Sequence, residues 1–338
     1  PRGYGDNQQR HPALIVLDGS PTMTSLASAS LFDRTIPGFI IVAVPNVDRL
    51  RDLSHESIAE IWPTSGGADS FLAFLTDELA PWIDAKFRTS GYRVITGGSA
   101  AGRFATFALL EAPEVFDAAI ARSPVLGTAY EMFSGLVTSA ATQKSNGEHF
   151  LFLVYGSHDY PVVTIYTERL LRLLDDQSPP WLRYERAVLD NKGHFQFSGL
   201  NSGLSALFED FEFPADRFLE EGPGAVVERA RVLGKRFKMD VQPSQLAGQR
   251  EIIDAGCELG RQRRFVDAIR VLTYGLELHP YSAALLYYKA QMLEHAGETE
   301  EAVIDYNRVF ELKPSMGIAG MTRMLLDNLV EIEKPKGR

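Results

Sequence analysis

The sequence predicts an α/β protein in which a mostly parallel β-sheet with helices on both faces is followed by a small all-α repeat module. Two observations predict it. In residues 1–213, short apolar runs alternate with helical stretches, a pattern typical of a parallel sheet covered on both faces. From about residue 243 onward the sequence is helical throughout and repeats itself.

Six apolar runs are the predicted strands, because each has the length of a buried strand. They are ALIVLD (13–18), GFIIVAV (38–44), YRVITG (92–97), FDAAIARSP (116–124), FLFLVYG (150–156) and WLRYERAVL (181–189). Helices are predicted around residues 68–86, 102–112, 128–143, 161–177 and 199–210. In such a sheet, catalytic groups collect at the carboxyl ends of the strands.

The C-terminal segment contains an internal repeat. FVDAIRVLTYGLELHP and TEEAVIDYNRVFELKP align at a period of 34 residues, so that Ala268 pairs with Ala302 and Pro280 with Pro314. This pattern resembles the tetratricopeptide repeat. We predict two repeats, 249–282 and 283–316, and a capping helix near 317–332; an unrelated helical bundle is the alternative. The predicted domains are therefore the sheet domain 1–213, a connector 214–242 with one helix, and the repeat module 243–338.

Composition and charge exclude several classes of function. The net charge of −10, from 34 basic and 44 acidic residues, gives no electrostatic reason to expect binding to nucleic acid or to an anionic membrane. No apolar run is long enough to span a bilayer. Cys257 is the only cysteine, which excludes an internal disulfide and a cysteine zinc site. The first residues carry no signal peptide, but a leader preceding this chain would fit a periplasmic or secreted protein, so the compartment stays open.

The segment VITGGSAAGRF, from Val94 to Phe104, contains the candidate nucleophile. It predicts a buried strand, a glycine-lined turn with Ser99, and a helix, which is the pattern of a nucleophile elbow. The usual spacing is G-x-S-x-G. Gly97 fits that spacing, whereas Ala101 occupies the position of the second glycine.

A serine hydroxyl needs a base within hydrogen-bond reach and a group that orients the base. His194, in LDNKGHFQFS, follows the last predicted strand, and Asp159 follows the strand before it. The order Ser, Asp, His matches the chain order of such triads, and Asp159 could fix the tautomer of His194. Asp190 is the reserve candidate. A solvated loop histidine and a turn-forming aspartate are the structural alternatives.

The developing oxyanion needs two backbone N–H donors. The residue after the nucleophile, Ala100, normally supplies one, and the loop VLDGSPT after the first strand supplies the other through the amide of Ser20. An ordinary strand-to-loop turn is the alternative for Ser20. Arg49 and Arg51 follow another strand and could contact an anionic substrate; a solvated salt bridge is the alternative role.

Several blocks of the first half resemble the putative-esterase family, which includes enterobactin (siderophore) esterase-like serine hydrolases. They include PRGYGDNQQRHPALIVLDG, VPNVDRLRDL, SGGADSFLAFLTDELAPWIDAKFRTSGYRVITGGSAAG and APEVFDAAIARSP, and the similarity runs from Pro1 to about Phe213. The resemblance implies an α/β-hydrolase fold with no metal or organic cofactor. It also implies Ser99 as nucleophile and His194 as base. Whether Asp159 completes a triad, or Ser99 and His194 act as a dyad, is open at this point.

The sequence departs from the family pattern at the elbow. The family's G-H-S-x-G-G is replaced by G-G-S-A-A-G, and the aromatic pair that often follows SPS is absent from SPVLG. We therefore expect a serine esterase that cleaves a small-molecule carboxylic ester. A thioester or amide substrate, and transfer of the acyl group to an acceptor other than water, are open alternatives. The alternative is a catalytically impaired pseudo-hydrolase whose repeats bind a partner protein. A protein partner or a homodimer through the repeats is the expected macromolecular interaction.

Overall fold

The computed structural model describes residues 1, 4–5, 8–20, 24–25, 27–28, 36–57, 60, 62–143, 145, 147–194, 197–211 and 215–332. Within these residues, six strands form one parallel sheet in the order β2-β1-β3-β4-β5-β6. The strands are β1 (His11–Leu17), β2 (Ile40–Val44), β3 (Thr89–Gly98), β4 (Ala118–Arg122), β5 (His149–Gly156) and β6 (Leu182–Leu189). The predicted fold class, a parallel α/β sheet followed by helices, is confirmed.

The helices of the sheet region follow the strands along the chain. They are α1 (Arg49–Leu53), α2 (Ala68–Ala73), α3 (Ala80–Lys86), α4 (Ala100–Glu111), α5 (Tyr130–Ala140), α6 (Pro161–Gln177) and α7 (Ser198–Leu207). A π-helical segment, Phe74–Leu79, joins α2 to α3. None of the helices in the described part of the chain combines the length and the apolar character needed to cross a membrane.

Strand β3 lies inside the sheet, between β1 and β4, and its carboxyl half, Val94 to Gly98, is apolar or small on both faces. Val94 and Ile95 are fully buried, and Ile95 pairs with Ala119 of β4. Helix α4 packs on β3 and β4 with ten of its residues buried, from Ala101 to Leu110. This packing fixes the turn between β3 and α4 at the carboxyl edge of the sheet.

The prediction of one helix in the connector 214–242 is wrong. Two helices occupy it, α8 (Ala215–Glu221) and α9 (Pro223–Arg236). Gly222 separates them with a φ of 75°, a left-handed conformation that glycine adopts readily. Pro223 then starts α9, where the absent N–H of proline costs nothing.

The chain divides into two compact units. The first contains Pro1–Glu209 and a later piece, Gly234–Asp240. In this later piece Phe237 is fully buried, with its ring centroid 5.0 Å from that of Tyr92 and 4.7 Å from that of Phe208. Lys238 adds an ion pair of 2.6 Å with Asp117. The sheet unit is therefore built from two separate stretches of sequence.

The second unit contains Asp210–Leu233 and Val241–Arg338, and the residues described within it are helical for most of their length. After α9 its helices are α10 (Pro243–Leu246), α11 (Gln249–Arg261), α12 (Phe265–Leu278), α13 (Ala283–Ala296), α14 (Thr299–Glu311) and α15 (Met316–Ile332). Each helix from α11 to α14 packs on the next one. Small residues allow this, since Ala268, Ala290 and Ala302 are fully buried.

Candidate active site

Ser99 lies on the sharp turn between β3 and α4. Its backbone has φ 60° and ψ −120°, a conformation that non-glycine residues rarely adopt. The turn is held by its backbone: the Ser99 N–H donates to the carbonyl of Arg122 at 2.9 Å, and the Ser99 carbonyl accepts from the N–H of Val125 at 3.3 Å. Strain of this kind at a strand-to-helix turn presents the serine hydroxyl at the end of the sheet.

The glycines of the elbow allow the strand and the helix to approach closely. A Cβ atom at Gly97 would lie 2.5 Å from the backbone C and O atoms of Ala101, and a Cβ atom at Gly102 would lie 2.9 Å from the Arg122 carbonyl. Ala101 itself is fully buried. Its methyl group occupies the side of the contact that Gly97 leaves open, since a Cβ atom at Gly97 would lie 2.6 Å from it. The elbow therefore accommodates the alanine.

Asp159 and His194 lie together in the loops after β5 and β6. The two loops touch closely, because the His158 N–H donates to the Lys192 carbonyl at 2.8 Å and a Cβ atom at Gly156 would lie 2.1 Å from the same carbonyl oxygen. Within this arrangement the Nδ1 atom of His194 is 2.7 Å from Oδ1 of Asp159. The Asp159 side chain is completely buried, and that of His194 is 13% exposed.

The carboxylate of Asp159 has further partners. Its Oδ2 atom accepts a hydrogen bond of 2.5 Å from the Oγ of Ser123, and its Oδ1 atom accepts one of 2.8 Å from the backbone N–H of Tyr160. Ser123 is buried, with φ 46°, at the end of β4. Several hydrogen bonds hold this carboxylate in one orientation, so it can fix the Nδ1–H tautomer of His194 and leave Nε2 as the base.

Ser99 and the Asp159–His194 pair both contact the short segment of residues 122–125. Ser99 is bonded through its backbone to Arg122 and Val125, and Ser123 between them is bonded to Asp159. Among the described residues there is no hydrogen bond between the Ser99 hydroxyl and the imidazole. Such bonds commonly tighten only when substrate binds. The reserve acid, Asp190, is exposed at the end of β6, and His194 is bonded to Asp159 instead.

The predicted oxyanion donors lie at the carboxyl ends of two paired strands, β1 and β3. Ala100 is the first residue of α4, where N–H groups have no intrahelical acceptor and the helix dipole favours negative charge. Ser20 follows Gly19, whose N–H donates to the Val44 carbonyl at 2.9 Å. A Cβ atom at Gly19 would lie 2.6 Å from the Val44 nitrogen, so only glycine fits there.

The two arginines proposed as substrate contacts are both in ion pairs. The Nε atom of Arg49 lies 3.0 Å from Oδ1 of Asp18, and Arg51 lies 2.7 Å from Oδ1 of Asp52. Their side chains are 39% and 52% exposed. The ion pairs agree with the structural role that the sequence left open, while a contact with substrate stays a prediction.

A cavity of about 180 Å³ opens beside the elbow. Ala100 and Val125 form its wall nearest the serine turn, and Arg49, His55, Trp62 and Arg103 are among its other lining residues. The His55 ring packs against three phenylalanine rings, with the nearest centroid, that of Phe107, at 4.3 Å. Burial, followed by the charge of Arg103, lowers the pKa of His55 to about 4, so its ring is neutral at pH 7.

Sequence reasoning missed Ser123 and Arg103. Ser123 lies within the predicted strand 116–124, and its position near the end of that strand is the available signal. Arg103 was visible as a charged residue in the first turn of the helix after Ser99. Nothing in the sequence shows that its side chain is buried.

The parallel sheet and its serine elbow define an α/β-hydrolase fold. The chain belongs to the putative esterase family, a family of carboxylic ester hydrolases: the family model matches residues 1–191, more than half of the chain. A curated relative, the ferri-bacillibactin esterase BesA of Bacillus subtilis, is 32% identical over 114 residues, which cover 33% of this chain. The match spans only 36% of that relative's length.

Solved structures share the fold. An IroE-like serine hydrolase from Shewanella oneidensis superposes with a TM-score of 0.64 at 23% identity, covering 83% of this chain and 93% of that one. An uncharacterised protein from Capnocytophaga ochracea has a TM-score of 0.60 at 15% identity, covering 98% of this chain and 94% of that one. At these identities the likeness concerns the fold.

Proposed function

We propose that the protein hydrolyses a carboxylic ester through an acyl-enzyme on Ser99. The observation that carries this proposal is the bond of 2.7 Å between His194 and the buried carboxylate of Asp159, at the sheet edge where the strained Ser99 turn lies. An oriented imidazole and a serine elbow are the parts that acyl transfer to serine requires.

In the proposed mechanism, His194 Nε2 accepts the Ser99 hydroxyl proton as Oγ attacks the ester carbonyl carbon. The oxygen of that carbonyl becomes negative and accepts hydrogen bonds from the amides of Ala100 and Ser20. The bond to the alcohol oxygen then breaks, and the imidazolium returns its proton to that oxygen. Water repeats the sequence to release the acid, while Asp159 orients the imidazole and stabilises its charged form.

Reaction with a fluorophosphonate probe, followed by peptide mapping, tests the nucleophile. We expect label on Ser99, none in the Ser99→Ala variant, and full labelling of the control Ser139→Ala, which changes an exposed serine of α5. A folded protein that takes up no probe and cleaves no ester would refute the mechanism. The pseudo-hydrolase alternative, favoured by Gly98 and Ala101 at the elbow, would then be the better proposal.

The natural ester is a separate question from the reaction class. The curated relative is named as an esterase of ferri-bacillibactin, but Gly98 and the SPVLG segment change the surroundings of the serine relative to the family pattern. We propose a small-molecule ester as substrate. Arg49 and Arg51 would supply contacts to an anionic group, and a thioester, an amide, or an acceptor other than water would fit the same machinery.

We further propose that residues 243–338 form a tetratricopeptide-like module, separate from the hydrolase domain 1–213 and the connector 214–242. Support comes from helices α11 to α14, which have 13, 14, 14 and 13 residues. It also comes from the equivalent alanines Ala268 and Ala302, both fully buried. Repeats of this kind commonly bind their partners on a concave surface.

The proposed partner of this module is another protein or a second copy of the chain. Helix α15 exposes apolar side chains, with Met316 93%, Met321 42% and Met324 58% exposed, and such surfaces favour association. Light scattering of the full chain tests this. A dimer that dissociates in the Met324→Glu variant would identify a second copy, whereas a monomer would leave a different protein as the partner.

A further inference from the structure

Arg103 is a buried cation that forms no ion pair with a carboxylate in the described part of the chain. The residue is 9% exposed, and its guanidinium donates to two neutral acceptors, the hydroxyl of Thr128 at 2.7 Å and the carbonyl of Leu53 at 2.6 Å. Its Nε atom is buried with no hydrogen-bond partner among the described residues, and the side chain forms no ion pair there. Burying an unpaired charge is unfavourable, so a negative charge nearby would stabilise this arrangement.

Arg103 lines the cavity of about 180 Å³ that also includes Ala100, the residue after the proposed nucleophile. A cavity of about 150 Å³ is known to hold benzene, so this one has room for a group of that size next to the ester carbonyl. None of the other charged groups of the described lining forms an ion pair with Arg103. Arg49 is itself cationic and is paired with Asp18, and His55 is neutral at pH 7. Glu56 attracts Arg103 electrostatically, but it is exposed to solvent, which weakens this attraction.

We infer that this cavity is an anion subsite, in which Arg103 recognises a carboxylate carried by the ester substrate. This inference rests on the proposed esterase function. It narrows the substrate class to esters in which the acidic group and the ester carbonyl are separated by no more than about the width of a benzene ring. The aromatic residues Trp62 and His55 are part of the lining of the cavity, which suits a planar or short-chain group. Arg103 is held by Thr128 and Leu53, so its position is set before the substrate enters.

Two pairs of synthetic esters test the inference and distinguish the two sides of the ester. The acyl pair is the nitrophenyl monoester of glutaric acid and its uncharged methyl ester. The alcohol pair is 3-acetoxybenzoate and its uncharged methyl ester. We expect the protein to prefer the charged member of one pair by about tenfold or more in kcat/KM, the value of one hydrogen bond to a charged group.

The readout is the ratio of kcat/KM between the charged and the uncharged ester, which does not depend on the overall activity of a variant. Arg103→Met keeps the length of the side chain and should bring the ratio close to one. Arg103→Lys keeps the charge and should retain part of the preference. Arg172→Met, which removes an exposed arginine from α6, is the matched control and should leave the ratio unchanged.

Two results would overturn the inference while leaving the esterase proposal intact. One is equal kcat/KM for the charged and uncharged esters in both pairs, and the other is a preference that persists in Arg103→Met. If the protein cleaves none of the esters, calorimetry with glutarate and with 3-hydroxybenzoate still decides. We expect binding of at least one of them that is lost in Arg103→Met, and no binding of either would refute the subsite independently of catalysis.

Discussion

Ala101, in place of the second glycine of the elbow, gives a direct test of whether the altered turn is functional. The structure indicates that its methyl group is part of the packing and causes no clash, because Gly97 opposite it carries no side chain. We therefore expect Ala101→Gly to destabilise the protein. We expect hydrolysis of a short aryl ester to stay within about tenfold of the original rate, since tenfold corresponds to ~1.4 kcal/mol at the transition state.

The size of the effect follows from two contributions. Removing one fully buried methyl group costs about 0.8 kcal/mol of transfer free energy. Placing glycine in a helix costs up to about 1 kcal/mol relative to alanine. The sum, about 1 to 2 kcal/mol, corresponds to a fall in Tm of about 2 to 8 °C for a domain of this size.

The assay combines thermal denaturation with ester hydrolysis, and the reverse substitution provides the contrast. In Gly97→Ala the new Cβ atom would lie 2.5 Å from backbone atoms of Ala101, which cannot move aside as a side chain would. We expect that variant to lose both activity and stability, and the double variant Gly97→Ala/Ala101→Gly to remain impaired. If Ala101→Gly instead raised Tm and switched on an inert protein, Ala101 would be a disabling change and the reasoning would be refuted.

Four further results are expected. Asp159→Asn should lower kcat by up to ~10⁴-fold, with the exposed Asp190→Asn as control; a nearly unchanged rate would indicate a dyad. Ser123→Ala should lower kcat about tenfold or more at constant KM, because Asp159 loses a charge-assisted hydrogen bond; an effect on KM alone would argue against a positioning role. The imidazole of His55 takes up a proton below pH 6.5 in the unfolded chain but only near pH 4 in the folded protein. The free energy of unfolding should therefore decrease as pH falls from 6.5 to 4, and His55→Phe should flatten Tm measured over that range. Gly98→His should narrow the range of bulky esters cleaved more than it slows small ones, as a panel of acyl chain lengths would show.

The sheet could be predicted because its local signals agree with each other. The run Phe150–Gly156 is apolar throughout, and the observed strand β5 begins only one residue earlier. Helix α6 was predicted over 161–177 and spans Pro161–Gln177, since proline suits the first position of a helix. Chain order alone also suggested that Asp159 and His194 follow neighbouring strands, and the structure brings them together.

The features that sequence reasoning missed depend on distant parts of the chain. Ser123 contacts Asp159 because β4 and β5 are neighbours in the sheet. The order of the strands in the sheet cannot be predicted from a local sequence pattern. The burial of Arg103 depends on a hydrogen bond to the carbonyl of Leu53, which lies fifty residues earlier in the chain. The break at Gly222 did have a local signal, since glycine followed by proline marks the end of one helix and the start of the next.

Because residues 234–240 belong to the sheet unit, the polypeptide crosses between the two units three times. The polypeptide leaves the sheet unit after Glu209, comes back at Gly234 and leaves again after Asp240. A fragment cut at residue 213 would lack Phe237 and leave the apolar rings of Tyr92 and Phe208 without their cover. A single protease cut cannot leave both units whole, because a cut before Gly234 removes residues 234–240 from the sheet unit and a cut after Asp240 divides the helical unit.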